Sequence, residues 1–349
     1  MMQLIPLLFL PFSAFAADAG NPGDPGLAPN TMPAVSPEFD FDNVVEKGLR
    51  EHLPLTSSTF KVWDNGMIPQ DCKHHVESYG YRATDFEVVE VTYADCEKPW
   101  IMCRLKGSKT DNTRMAETFG RMPIGMRELV KHVMIMEFDK MKPAAAYSVA
   151  DIIAISDEFY MHHIFTHELS HSLDSHIEVP GVTPPNSGGF SSTKAWKDMF
   201  DEDTAAISEY GRSGWPENLA DSGVVALFDI VVPGGAGTIN PNWTSCFHQY
   251  ANYKTAYGHV VTPGVKLNCT KRVDDSPIVQ AGDGKSNGNT TDEGGDSSDS
   301  DGNKGGCHNG THARVGIPTR RISRPRPLAG IKAVHSGIFH NVTFVHRVQ

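Results

Sequence analysis

Residues 163–176 read HIFTHELSHSLDSH, and within them His167-Glu168-Leu169-Ser170-His171 forms an HExxH pattern. Residues four apart on an α-helix lie one turn apart and about 40° apart in azimuth. Two imidazoles at that spacing can grip one Zn2+. Glu168 lies to the side, where it can reach a water on the metal without competing as a ligand. With 16 His among 349 residues, the bare pattern is expected about 0.04 times by chance in this composition. It is suggestive, and its context decides its weight.

A zinc site needs a third protein ligand. The longer pattern HExxHxxGxxH fails here, because Asp174 and Ile177 stand where its Gly and last His would be. His176 is five residues beyond His171, about 140° around a continuing helix, and is a poor ligand. His163 lies one turn before His167, but three stacked helical histidines rarely converge on one ion, so a packed or supporting role suits it better. Downstream, residues 207–231 read ISEYGRSGWPENLADSGVVALFDIV. Glu217 and Asp221 are four apart on the helix expected there and share one face. Glu217 could complete a site of two histidines and one glutamate, or merely favour the helix start. Asp221 could accept the ring N–H of a zinc histidine, or be a solvated charge. Tyr210 could stabilise the oxyanion of a hydrolysed amide, or be a packed surface tyrosine. Asp174, three residues after His171, could buttress the site or cap local structure.

The elements that must carry these groups are legible. Tyr160 to Leu173 contains no Pro or Gly, and Ile164, Phe165, Leu169 and Leu173 can form an apolar side. Pro216 suits a first helical turn. After it Ala220, Val224, Leu227, Phe228 and Val231 recur at helical spacing. FEVVEVTY (86–93) and WIMCRL (100–105) read as strands, and VKHVMIME (130–137) and VADIIAIS (149–156) as buried strands. A strand beside the metal helix could bind an extended peptide by backbone pairing. A short helix is predicted over 115–122, and helices dominate from about 162 to 230. Strands first and helices later indicate an α+β domain with a mixed sheet.

The chain carries 31 Lys+Arg against 42 Asp+Glu, a net charge of −11, which argues against nucleic acid as a partner. Leu4 to Phe15 is apolar and ends in Ala14-Phe15-Ala16. That reads as a signal peptide over 1–16, too short for a membrane span. Six cysteines and five N-x-Ser/Thr sequons, at Asn242, Asn268, Asn289, Asn309 and Asn341, fit secretion to the extracellular space or cell wall. The short pairings expected are Cys96 with Cys103 and Cys246 with Cys269, leaving Cys72 and Cys307. Residues 17–37, rich in Pro, Gly and Asn, read as a flexible leader. The globular unit is expected over 38–280, as one domain and a monomer. Residues 281–306 have almost nothing apolar to bury and read as disordered. Residues 302–349 carry eight Lys/Arg and no Asp/Glu, and 307–349 read as an unstructured basic tail.

HELSHSLD, a following Tyr and then ENLAD resemble the gluzincin-type zincin metallopeptidases, with a tyrosine-to-glutamate interval similar to the lethal-factor-like branch. GRMPIGMRELVKHV (120–133), FSSTKAWKD (190–198) and YGRSGWPENLAD (210–221) resemble fungal secreted conidiation-specific proteins. The resemblance spans about residues 40–270. It implies a zincin-like catalytic domain with Zn2+ on His167, His171 and Glu217, Glu168 as general base and Tyr210 as transition-state stabiliser. The substrate would be a peptide or protein. The chain departs from the pattern at Asn218-Leu219, where an acidic-aromatic pair is usual. The alternative is a non-catalytic secreted or cell-wall protein on a zincin scaffold. No GxSxG supports a serine hydrolase.

Overall fold

The computed structural model describes residues 29–183, 188–265, 269 and 272–282, and the backbone of 343–347. All of them belong to one compact unit, while the second, Gly284–His340, lies outside them. The strands are β1 (Ser58–Val62), β2 (Met67–Pro69), β3 (Phe86–Tyr93), β4 (Trp100–Leu105), β5 (His132–Met136), β6 (Ala144–Val149), β7 (Ile152–Ser156), β8 (Ile278–Gln280) and β9 (Thr343–Arg347). The helices are α1 (Glu46–His52), α2 (Gln70–Ser78), α3 (Asn112–Arg121), α4 (Ile124–Arg127), α5 (Phe138–Met141), α6 (His162–His176), α7 (Lys194–Asp201), α8 (Trp215–Val231) and α9 (Phe247–Val261). None of the described helices is long and apolar enough to cross a membrane.

The result is an α+β fold. A mixed sheet runs β1-β3-β4-β5-β7-β6-β9, and β2 pairs with β8 separately. β4, β5 and β7 are parallel; the other pairings are antiparallel. β5 and β7 are buried at every position, which explains their continuous apolar runs: central parallel strands are covered on both faces. One face packs the main core, with Trp100, Phe119, Phe165, Leu169, Leu227 and Tyr253 among its members. On the other face Cys72 and Val76 of α2 share a second buried cluster with Met134, Met136 and Tyr147.

β3 and β4 span the predicted residues. The segment 149–156 does not form one strand. It breaks at Ala150 and Asp151, which have φ of 48° and 67°, the two-residue turn geometry that matches strand twist. No glycine marks this turn, so the pattern hid a hairpin, and with it β6. The helix expected over 115–122 starts earlier because the Asp111 side chain accepts a bond from the Arg114 amide at 2.8 Å.

The expected leader is ordered where it is described. Ala34 bridges to Ala206 and Val35 is fully buried; residues 1–28 lie outside the described residues. Most of 281–306 also lies outside them. The basic tail is not wholly without structure, since Thr343–Arg347 pairs with β6.

The cysteine pairing differs from expectation. Cys72 joins Cys103, and Cys96 joins Cys269. Cys103 points from β4 to the α2 face, whereas Cys96 belongs to the opposite core. The sheet itself separates these sequence neighbours. Cys246 is a buried free thiol, pushed up to about 12 by burial, and Cys307 is outside the described residues. The bridges close separations of 31 and 173 residues, worth roughly 4 and 5 kcal/mol on a chain-entropy view.

Glu46 of α1 caps α6. Its carboxylate accepts from the backbone N–H of His162 at 2.8 Å and of His163 at 3.2 Å, and bonds His162 Nδ1 at 2.8 Å. An anion there satisfies orphan amides and opposes the helix dipole. Burial raises the Glu46 carboxyl, but its bonds to His162 and His163 prevail and hold it at about 2.

Two outcomes follow from these contacts. Glu46 is ionised in the fold well below its ordinary range, so its stabilisation is complete above about pH 4.5 and lost as pH falls towards 2. Glu46→Gln should lower the thermal midpoint at pH 7 by several degrees and flatten its acid dependence in that window; an unchanged profile would refute the capping role. Non-reducing peptide mapping should recover Cys72–Cys103 and Cys96–Cys269, and a Cys96–Cys103 peptide would contradict the fold.

Candidate metal centre

Helix α6 follows β7 after a short connection and buries every side chain from His162 to Asp174. It lies between the sheet and α8. At the crossing of the two helices stands Gly223, where a Cβ would collide with Ser170 Oγ and come within 2.8 Å of Tyr253 Cε2. Only a residue without a side chain lets the backbones approach this closely. The approach lays the first turns of α8, which hold Pro216 at the start, against the middle of α6.

That crossing brings His167, His171 and Glu217 together as a set able to hold a metal ion. His167 Nε2 lies 3.1 Å from His171 Nε2 and 3.1 Å from Glu217 Oε2, and the third side, His171 Nε2 to Glu217 Oε2, is 3.5 Å. Ligands on a tetrahedral zinc, with bonds near 2.0–2.1 Å, stand about 3.3 Å apart. The triangle fits that figure. Both imidazoles are buried, while the Glu217 side chain is 14% exposed and is the least buried of the three.

His167 Nδ1 lies 2.8 Å from Asp221 Oδ1. A proton held there leaves the Nε2 lone pair aimed into the triangle, the usual support for a metal-ligating histidine. Ser208 Oγ donates to the other Asp221 oxygen and accepts from the Gly211 amide at 2.7 Å. Burial disfavours a charged His167, but Asp221 and Glu217 overcome it and push the ring up to about 10. Glu217 shows the converse: burial raises it, yet His171 and His167 hold it well below the carboxylate range. Both shifts describe one attraction, between a carboxylate pair and positive charge in the triangle. Burial lowers His171, whose neutral form is the one that ligates.

Glu168 is completely buried, and neither carboxylate oxygen has a hydrogen-bond partner among the described residues. Burial pushes it up to about 8, against the charge of His167. An unpartnered buried carboxylate costs several kcal/mol. Tyr210 begins a turn before α8 with its ring 5.8 Å from that of His167. Burial raises its phenol, helped by the charges of Glu217 and Glu168 and by a hydrogen bond to Glu217.

The other sequence candidates are placed elsewhere. Asp174 accepts from the Ser191 amide at 2.8 Å and its hydroxyl at 2.6 Å, so it fixes the 190–192 turn. Burial pushes it up to about 6 against those bonds. His163 lies within 3.2 Å of Glu46 and of Asp42, and His176 is 2.6 Å from Asp151.

A family model described as conidiation-specific protein Con-13 matches residues 39–256. The chain belongs to the Con-13 family. Every group of the centre falls inside the matched span. Conidiation-specific protein 13 of Neurospora crassa is 29% identical over 209 residues, 59% of each chain. The chain thus spans about three-fifths of the length of the curated relative it matches. No solved structure matches it.

In this Con-13 chain the centre also depends on supporting groups that local spacing does not single out. Asn218, which departs from an acidic pattern, is buried; it accepts from Trp196 Nε1 at 3.1 Å and donates to Gln249 at 2.8 Å. A neutral amide bridges donor and acceptor where a carboxylate would face the Gln249 carbonyl oxygen. Ser208 has no local signal. Gly223 had one, since an isolated glycine inside a helical pattern marks close approach or a weak point.

Gly223→Ala should therefore separate α8 from α6, costing roughly 1–3 kcal/mol of stability, and weaken divalent-metal affinity by more than ten-fold. Calorimetric titration with Zn2+ beside a thermal melt checks this; native metal affinity in a destabilised variant would show that the crossing does not set the centre.

Proposed function

We propose that this chain is a secreted zinc-dependent peptidase on a zincin-like scaffold, with peptides or proteins as substrate. The reading is carried by one observation, the triangle of His167, His171 and Glu217 beside the buried, unpartnered Glu168. The donor set fits zinc: two imidazole nitrogens and a carboxylate at the spacing of ligands on one tetrahedral ion. It also suits the local composition, because three carboxyl groups, Glu217, Asp221 and Glu168, stand around two imidazoles, of which burial favours the neutral form of His171. Bound there, zinc would act as a Lewis acid towards a peptide carbonyl and acidify water at neutral pH.

The rest is the work of the chain's own groups. Glu168, beside His167 and without a hydrogen-bond partner among the described residues, takes a proton from the attacking water in its ionised form, which a bound cation would favour over the protonated one, and returns it to the leaving amine. Tyr210 donates its phenolic hydrogen to the carbonyl oxygen as negative charge develops there. Asp221 holds the tautomer of His167. The apolar segment over 4–15, the sequons and the paired cysteines support an extracellular setting.

Elemental analysis of the purified chain should find one zinc per molecule, removed by a chelator together with hydrolysis of a denatured protein. Glu168→Gln should keep the zinc and lose about 10²–10⁴-fold in rate, whereas Glu217→Ala should lose the metal. Wild-type rates in Glu168→Gln would refute the base. Stoichiometric zinc without cleavage of any substrate would favour a non-catalytic surface protein.

A further inference from the structure

β6 lies along the metal-bearing helix. It packs against α6, and its turn to β7 is tied to the end of that helix by the His176–Asp151 contact of 2.6 Å. One side of β6 is spent on β7. The other side would be the rim of the sheet, a row of backbone N–H and C=O groups that any extended chain can pair with.

In the structure that rim is taken. Thr343–Arg347 runs antiparallel to β6, with Val149 opposite Thr343, Ser148 opposite Phe344, Tyr147 opposite Val345, Ala146 opposite His346 and Ala144 opposite Arg347. The register shifts between Ala144 and Ala146, so the pairing bends there. β9 also packs against α6. It arrives from almost 200 residues beyond β6 in sequence, so no hairpin geometry imposes the pairing.

We propose that Thr343–Arg347 is an internal occupant of the peptide-pairing edge beside the metal centre, so that the chain's own C-terminal segment and an extended peptide substrate compete for β6. This rests on the peptidase reading above for the identity of the competitor. Backbone pairing is open to any sequence in extended form, and one rim holds one strand at a time. Being attached, β9 binds intramolecularly, and a free peptide must exceed its effective concentration to displace it. Release of the segment, by a partner that binds it or by cleavage before it, would expose the edge.

The test uses a fluorescent nonapeptide of residues 341–349 and three forms of the chain: the full protein, the full protein with Phe344→Pro and Val345→Pro, and a chain ending at His340. Alternate residues of an edge strand direct their N–H groups to the partner, so the double substitution removes at least one pairing donor. Each form is first shown to unfold cooperatively. Fluorescence anisotropy should show both altered forms binding the peptide at least about ten-fold more tightly than the full protein, with faster hydrolysis of a denatured protein. Tight peptide binding by the altered forms with no hydrolysis by any form would uphold the inference and remove the peptidase reading. Hydrolysis by all three at one rate, with no peptide bound by either altered form, would overturn the inference and leave the peptidase reading standing.

Discussion

The close crossing of α6 and α8 is the constraint on which the centre depends. Two histidines on one helix could supply only part of a ligand set, and Glu217, the third candidate donor, belongs to a helix some fifty residues away. Gly223 against Ser170 and Tyr253 sets how near the two backbones come. The distances of 3.1–3.5 Å among His167, His171 and Glu217 follow from it. Small residues at a helix contact thus serve a chemical end here, as well as a packing one.

Charge supplies the second constraint. Glu168, Glu217 and Asp221 lie in a region that water scarcely enters, and carboxylates there repel one another strongly. The fold meets part of this by pairing Asp221 with His167 and Ser208. The remainder appears as a Glu168 pushed up to about 8 by burial. Such an arrangement is costly without a cation, and on the reading proposed above a divalent one would relieve it where His167, His171 and Glu217 meet.

The frame around the centre is held from outside α6. Glu46 caps its first turn, the Asp151 turn grips its last residue, and Asp174 pins the 190–192 loop beside it. Two disulfides fasten the sheet to α2 on one side and to the segment after α9 on the other. The helix is therefore fixed at both ends.

Local periodicity determined much of this from the sequence alone. The unbroken helix through His167 and His171, the shared face of Glu217 and Asp221, and the strands at 86–93 and 100–105 depend on neighbours within one or two turns, and a linear pattern records those. What long-range packing decides was not legible. Cys96 and Cys103 are close in sequence, yet the sheet lies between their side chains. Ala150-Asp151 turns a chain that alternation reads as continuous, because the φ of two residues leaves no trace in hydrophobicity. Ser208, Asn218 and Glu46 acquire their roles only from partners brought near by folding. Residues 343–347 find a strand to pair with only once β6 exists. Spacing along a chain specifies which groups can share a helix face; which faces meet is decided by how the apolar surfaces pack, and that is a property of the whole fold.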